Sequence, residues 1–283
     1  MVSQLAARFD EALALPNLRG IVIAGTGKAF VAGADVSWFV RRIEADDVGG
    51  IVSFTTDGQA LLKRIEDAPV PVVARVHGLA LGGGVELALA CHGIVCGPKA
   101  TFALPETGIG IYPGLGGTQR LPRIVGGPLA RRLIFTGKPL SASAAVQAGL
   151  ALEVVPVAEL DDACAQWIDQ GLPDRYAHAP SAEPALAEAY DVESIETLLA
   201  GEVPKGISDA AEALVARDLR AIGRKAPIAL RLSAELLRAA ESTGLDEGLA
   251  MELERLPQIF GTQDALVGLR SVASRERPAW QGV

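Results

Sequence analysis

Val70-Pro71-Val72-Val73-Ala74-Arg75-Val76, then Gly78 and Gly82-Gly83-Gly84, then Val85-Glu86-Leu87-Ala88-Leu89-Ala90-Cys91, is the stretch on which the fold is decided. The first run is almost wholly apolar and reads as a strand, like Gly20-Ile21-Val22-Ile23-Ala24 upstream, which is apolar throughout and is expected to be buried on both faces. The glycines form a turn, and the last run reads as a helix over 85–91. A short buried strand leading through a turn into a helix is the building unit of a layered α/β fold with right-handed crossovers. Glu86 is a carboxylate inside an otherwise apolar helix, directly after three bare-backbone residues.

The same alternation extends in both directions. Upstream, 3–15 reads as an amphipathic helix with Leu5, Phe9 and Leu13 on one stripe. Gly20-Ile21-Val22-Ile23-Ala24 reads as the buried strand, 25–34 as a glycine-rich loop, and helices follow from Ser37 and over 53–66, ahead of the Pro69/Pro71 break. Downstream, Ile94-Val95-Cys96 and Thr101-Phe102-Ala103 read as strands. From about 128 the pattern is mostly helical, over 128–136, 141–148, 158–170, 207–223, 226–241 and 245–258. Segment 171–205, with Pro173, Pro180, Pro184 and Pro204, reads as an irregular insertion carrying one short helix near 192–200. The expected organisation is a catalytic core over 1–206 and a helical C-terminal lobe over 207–283, with no repeat and no low-complexity linker.

Bulk properties narrow the function classes. Apolar residues make up 49% of the 283 and charged residues 21%, which fits a packed globular chain and not a disordered one. A net charge of −8 offers no basic face for nucleic acid. Cys91, Cys96 and Cys164 form no disulfide framework, and His77, His92 and His178 show no ligand spacing with them, so no metal site is expected. A reduced, cytoplasmic compartment is expected. Asp10 and Glu11 interrupt any signal-peptide core, and no apolar run reaches membrane-spanning length.

The chemistry concentrates in three glycine-rich places. In Lys28-Ala29-Phe30-Val31-Ala32-Gly33-Ala34-Asp35 small residues let a ligand lie against the backbone, with the Ala34 N–H as a donor; the alternative is a tight connection in which small residues are a steric need. Gly83 N–H, at the start of the next helix, is a second donor for the same oxygen. The alternative there is a flexible turn whose Glu86 only complements the helix dipole. Glu106, in Leu104-Pro105-Glu106-Thr107-Gly108, is the second acid, and paired carboxylates can give a proton to one atom and take one from water. The remaining glycines form no dinucleotide fingerprint, because Pro113 holds the third glycine position. Ala29 removes the hydroxyl of a P-loop, and no G-x-S-x-G elbow is present.

Taken in order, Lys28-Ala29-Phe30-x-Ala32-Gly33-Ala34-Asp35, Gly82-Gly83-Gly84-x-Glu86-Leu87-Ala88, Pro105-Glu106 and Pro113-Gly114-x-Gly116-Gly117-Thr118-Gln119-Arg120-Leu121 closely resemble the crotonase superfamily, specifically enoyl-CoA hydratases. The resemblance covers about 3–170 and resumes over roughly 225–283. It implies an α/β, crotonase-like spiral of ββα units with a helical C-terminal trimerisation lobe. It also implies a thioester carbonyl held by the N–H groups of Ala34 and Gly83, catalysis by Glu86 and Glu106 with Glu106 the proton donor, and a water placed with the help of Gly114. Coenzyme A, part of the substrate and not a separate cofactor, is expected along Lys28, Ala32, Ala34 and Asp35. Phe260, or Arg275 and Arg277, of a neighbouring lobe are candidates to meet its adenine and phosphates, with solvated surface charge the alternative for the arginines. Trp38 and Phe39 are candidates for the acyl pocket, with core packing the alternative. The expected partners are an acyl-CoA substrate and further copies of the chain, as a trimer or hexamer.

The sequence departs from the family in two places. Relatives open with a strand and an Asn-Arg-Pro-like segment that has no counterpart before residue 3. This is expected to mean a gene start placed downstream, a piece of a longer polypeptide, or a protein that works without that hairpin. The longer stretch at 171–224 is similar to hydratase domains fused behind 3-hydroxyacyl-CoA dehydrogenases, which makes such a dehydrogenase a candidate partner. His92 stands where relatives carry Asp, with a structural consequence expected. The reaction implied is hydration of short-chain trans-2-enoyl-CoA thioesters such as crotonyl-CoA, a hydro-lyase activity. The alternatives are an enoyl-CoA isomerase, a 3-hydroxyisobutyryl-CoA hydrolase or a non-catalytic subunit.

Overall fold

A computed structural model describes residues 2–176 and 182–283, so His178 and Pro180 lie outside the described residues. Helix α1 (Val2–Leu13) buries Phe9 on its apolar stripe. Three pairs of strands then follow, each pair leading into helix: β1 (Ile21–Ala24) and β2 (Ala29–Ala32) into α2 (Val36–Glu44) and α3 (Val48–Glu66), and β3 (Val72–Val76) and β4 (Leu79–Leu81) into α4 (Gly83–Ala90). The third pair, β5 (Gly93–Cys96) and β6 (Thr101–Ala103), leads into a single 3₁₀ turn at Glu106–Ile109 and then α5 (Gly117–Val125) and α6 (Gly127–Thr136). After β7 (Leu140–Ser141), α7 (Ala142–Gln147) and β8 (Glu153–Val154), the chain is helical: α8 (Leu160–Gln170), α9 (Pro184–Ala189), α10 (Ile195–Leu199), α11 (Asp209–Ile222), α12 (Pro227–Ser242), α13 (Leu245–Phe260) and α14 (Gln263–Ser274).

The first strand of each pair enters one sheet and the second enters another. The orders are β1-β3-β5-β8, parallel throughout, and β2-β4-β6-β7, in which only β7 runs antiparallel. This is the expected spiral of ββα units. The central strands β3 and β5 are buried, β5 at all four positions, which is why they read as continuous apolar runs. Strand β1, expected to be buried, lies at the edge of its sheet with only Ile23 buried and Val22 exposed. Among the described residues no helix is long and apolar enough to cross a membrane.

Several expectations need correction. Segment 25–34 is not all loop: Ala29–Ala32 forms β2, paired with β4, and both strands are so short that flanking glycines hide them. The second helix of the first unit starts at Val48, five residues ahead of 53, because Asp47 caps it by accepting from Gly50 N. Helix α5 lies within the glycine-rich stretch, begun by Gly116 in the left-handed conformation (φ 101°). Among its described residues the insertion holds two short helices, α9 and α10, where one was expected, and β7 and β8 are too short to show as a pattern.

Packing crosses the expected boundary at 206/207. Leu214 and Val215 of α11 belong to the main core with α4, α5 and α6. A second core joins Phe39 and Ile51, from α2 and α3, to Leu232, Leu256 and Phe260, from α12 and α13. His92 ties the start of β3 to the end of α3: its Nδ1 accepts from Val72 N at 2.9 Å while Nε2 lies 3.0 Å from Glu66 O. That pattern requires the neutral ring protonated at Nε2, and burial lowers its pKa accordingly.

Candidate active site

Both acids are delivered by turns whose shape depends on glycine. Gly82 precedes α4 with φ 54° and ψ −123°, a region closed to residues with a side chain, and a Cβ there would stand 2.5 Å from Glu106 Oε1. A Cβ on Gly84 would come within 2.1 Å of Val31 O, so α4 can lie against β2 only without one. These constraints hold the first turn of α4, and Glu86 with it, deep in the protein at 2% exposure. Glu106 opens the 3₁₀ turn after β6 and is 7% exposed.

Ala32, Ala34, Gly83, Glu86, Glu106, Gly114 and Phe260, all expected from the sequence, line one cavity of about 240 Å³. Ala34 N–H finds no acceptor among the described residues, and Gly83 N–H, first in α4, lies ahead of any intrahelical partner. The remaining wall is mostly apolar, supplied by Val36, Phe39, Phe54, Leu256 and Leu269 among others. Two further polar side chains line it: Thr55, whose hydroxyl donates to Ile51 O, and Tyr112, whose hydroxyl donates to Glu252 O.

Three expected residues are placed differently. Lys28 is exposed in the turn before β2, outside the cavity wall. Asp35 is also outside the wall; it caps α2 by accepting from Ser37 N at 3.0 Å and lies 3.8 Å from Arg41. Phe260 belongs to the same chain as the acids it faces, because α13 and α14 fold back over their own core. It stacks on Phe39 with centroids 5.4 Å apart, in the apolar wall and not among phosphate-binding groups. Trp38 stands behind that wall against Phe39 and Phe54, with the Arg42 guanidinium over its ring, while Arg275 and Arg277 are exposed.

The two carboxyls are held unlike each other. Glu86 Oε1 accepts from Leu115 N at 2.7 Å and from Gly117 N at 2.9 Å. Burial pushes its pKa up to about 7, opposed by those two N–H groups and by the Arg120 charge. Glu106 Oε2 is buried with no partner among the described residues. Its pKa is raised well above the carboxylate range, first by burial and then by the charge of Glu86, with its own N–H and Lys225 opposing.

A third acid was missed. Glu252 of α13 is fully buried, and its carboxylate accepts from Gln59 Nε2 at 2.9 Å, Gly116 N at 2.7 Å, Thr118 N at 3.1 Å and the Thr118 hydroxyl. Burial raises its pKa to about 8, helped by the Glu86 charge and opposed by Thr118, Gly116 and Arg120. A signal did exist: Glu252 lies three residues after Leu249 and four before Leu256, on the buried stripe of its helix. Among the described residues no group of three or more His, Cys, Asp or Glu is placed to hold a metal ion.

Such a cavity suits proton transfer around a carbonyl compound: two N–H groups without an acceptor among the described residues, one acid whose anion accepts two N–H bonds and another pushed further toward its neutral form, in a mostly apolar surround. Comparison with known proteins points the same way. The sequence matches the enoyl-CoA hydratase/isomerase family over residues 1–282. The fold resembles an enoyl-CoA hydratase from Rhodobacter sphaeroides at 29% identity and TM-score 0.80, with all of this chain covering 85% of that one. It resembles a carnitinyl-CoA dehydratase from Mycobacterium thermoresistibile at 26% identity and TM-score 0.79, again with all of this chain, covering 84% of the other. An enoyl-CoA hydratase from Bacillus anthracis is 29% identical with TM-score 0.54, all of this chain covering 88% of it.

Proposed function

The chain belongs to the enoyl-CoA hydratase/isomerase family, and from that premise we propose that it adds water across the C2=C3 bond of short-chain trans-2-enoyl-CoA thioesters, reversibly. The observation that carries this reading is the pair of buried glutamates with opposed environments in one cavity. In the forward direction the thioester oxygen sits between Ala34 N–H and Gly83 N–H. Glu86, as carboxylate, takes a proton from water while the water oxygen bonds to C3. The π electrons of C2=C3 shift toward the carbonyl, whose developing negative charge the two N–H groups stabilise. Glu106, as neutral acid, gives its proton to C2. The cycle closes when the proton gained by Glu86 returns to Glu106, directly or through solvent. One such N–H donor contributes about 3–4 kcal/mol to the transition state.

The alternatives fit less well. Moving a double bond asks for one acid to shuttle a proton, and the second would be idle. The hydrolase reading wants a carboxylate where Gly114 stands. The reading extends to a coenzyme A moiety leaving the cavity past Ala32 and Ala34 toward Lys28, to assembly of copies through the C-terminal helices as a trimer or hexamer, and to a cytoplasmic location. A 3-hydroxyacyl-CoA dehydrogenase would be its natural partner, since it would oxidise the product.

The test is loss of enoyl-thioester absorbance when purified chain meets crotonyl-CoA. Decay is expected, and its absence from folded protein with both crotonyl-CoA and a six-carbon enoyl-CoA would overturn the reading.

A further inference from the structure

Nothing in the hydration step touches Glu252, yet this side chain collects four hydrogen bonds in a wholly buried position. Its donors are informative. Gly116 N, Thr118 N and the Thr118 hydroxyl all come from the turn 114–118, which carries the two N–H groups that bind Glu86 Oε1. The fourth donor, Gln59 Nε2, also donates to Gly114 O at 2.9 Å and so ties the start of the same turn to the same carboxylate. Along this turn the N–H groups alternate in direction: Leu115 and Gly117 point to Glu86, and Gly116 and Thr118 point to Glu252. The turn is therefore clamped between two glutamate side chains, one from α4 and one from α13.

Two further contacts fix Glu252 in place. The Tyr112 hydroxyl donates to its backbone carbonyl. Gln119, whose Nε2 donates to Thr118 Oγ1 and to Leu236 O, sits so near α13 that a Cβ on Gly248 would fall 1.9 Å from its Oε1. Glycine residues at 114, 116 and 117 give the turn little stiffness of its own, so its shape is set by what holds it.

We infer that Glu252 is a positioning residue of the active site: from the C-terminal helices it holds the turn 114–118, and through that turn it fixes the orientation of Glu86 toward the reacting water. The inference deepens the hydratase reading and rests on it for its kinetic consequence. The clamp itself is a property of the fold and is read without substrate.

The experiment uses the full chain with Glu252→Gln and, separately, Thr118→Val. The amide of Gln presents a donor to at least one of the four donors that now converge there, whereas Val removes a single hydroxyl at almost constant volume. First, hydrogen exchange of the 114–118 segment is measured without ligand; exchange at least about 10-fold faster in Glu252→Gln, with α4 and β3 unchanged, is expected. Second, kcat and KM are measured with crotonyl-CoA. For Glu252→Gln kcat falls about 10²-fold, the scale of a misplaced catalytic group, with KM within threefold. For Thr118→Val, which keeps the proposal testable if the first variant does not fold, kcat falls about fivefold at constant KM. Unchanged exchange in the turn, or kcat within twofold of wild type in both variants, overturns the inference. Wild-type protein that turns over no enoyl-CoA overturns the hydratase reading instead, and the exchange result then decides the clamp alone.

Discussion

The turn before α4 and the turn after β6 each bring one glutamate into the same cavity, yet they treat it differently. The first sets Glu86 against the 114–118 turn, where Leu115 N–H and Gly117 N–H both point at Oε1 and favour the anion. The second buries Glu106 with Oε2 unpartnered, and the Glu86 charge adds to the cost of ionising it. Two residues of one type, with the same solution chemistry, thus differ in their tendency to ionise through the hydrogen-bond donors around them, and the proposed reaction uses that difference as base and acid.

The strongest way to break this comparison is to remove each proton in turn. Glu106→Gln and Glu86→Gln each keep shape and are expected to lower kcat about 10²–10⁴-fold, the usual share of a general acid or base, while binding of a CoA thioester by calorimetry changes little. Turnover by either variant near the wild-type rate would show that the pair does not divide the work. Next in size is the pH dependence of kcat/KM. The working form needs Glu86 ionised, so activity falls as pH drops through about 7, where that group gains a proton. It also needs Glu106 neutral, so activity falls again at higher pH as Glu106 ionises. The residual activity of Glu106→Gln should keep the acid limb and lose the alkaline one; the reverse outcome would exchange the two roles.

How much of this was legible in the sequence follows from distance along the chain. Glu86, Glu106, Ala34 and Gly83 each sit in a local signature, an acid or a donor beside glycine, and the parallel strands β1, β3 and β5 announce themselves as apolar runs. Strands β2 and β4, four and three residues long, gain their identity only by pairing with each other and with β6, which no local pattern records. The role of Glu252 was hidden for the same reason. It acts on residues 114–118 across the fold, and only its place on a buried helical stripe set it apart. Phe260 was expected to serve a neighbour because the fold-back of α13 and α14 onto their own core is a tertiary fact.

A smaller effect sharpens the difference between the two acids. Lys225, just before α12, places Nζ over the 3₁₀ turn, where a Cβ on Gly108 would be 3.1 Å away, and its charge opposes the rise in the Glu106 pKa. Lys225→Met removes that opposition. Glu106 then holds its proton to higher pH, and the alkaline limb of kcat/KM moves upward while the acid limb, set by Glu86, stays in place. A downward shift, or an equal shift of both limbs, would mean that Lys225 does not act on Glu106 selectively.

The smallest effect on the pair is expected from the insertion, and this is what marks the comparison as local to the two turns. Asp218 of α11 is fully buried; burial raises its pKa, but Arg132 Nε at 2.7 Å, Lys138 and the Tyr190 hydroxyl at 2.9 Å outweigh it and hold the pKa below its ordinary value. These bonds fasten α11 and the end of α9 to α6, away from both glutamates. A depressed carboxyl contributes stability above its unfolded pKa of about 4 and loses it as pH falls through the lower folded value. Asp218→Asn should therefore cost about 1.5–3 kcal/mol in urea unfolding at pH 7, the range for hydrogen bonds to a charged group. The cost should shrink in acid, because protonation removes the same charge from wild type. Both limbs of the pH profile should be unmoved in the folded variant. A shift of either limb would show that the insertion reaches the catalytic pair, and that the two environments are set by more than the turns that carry them.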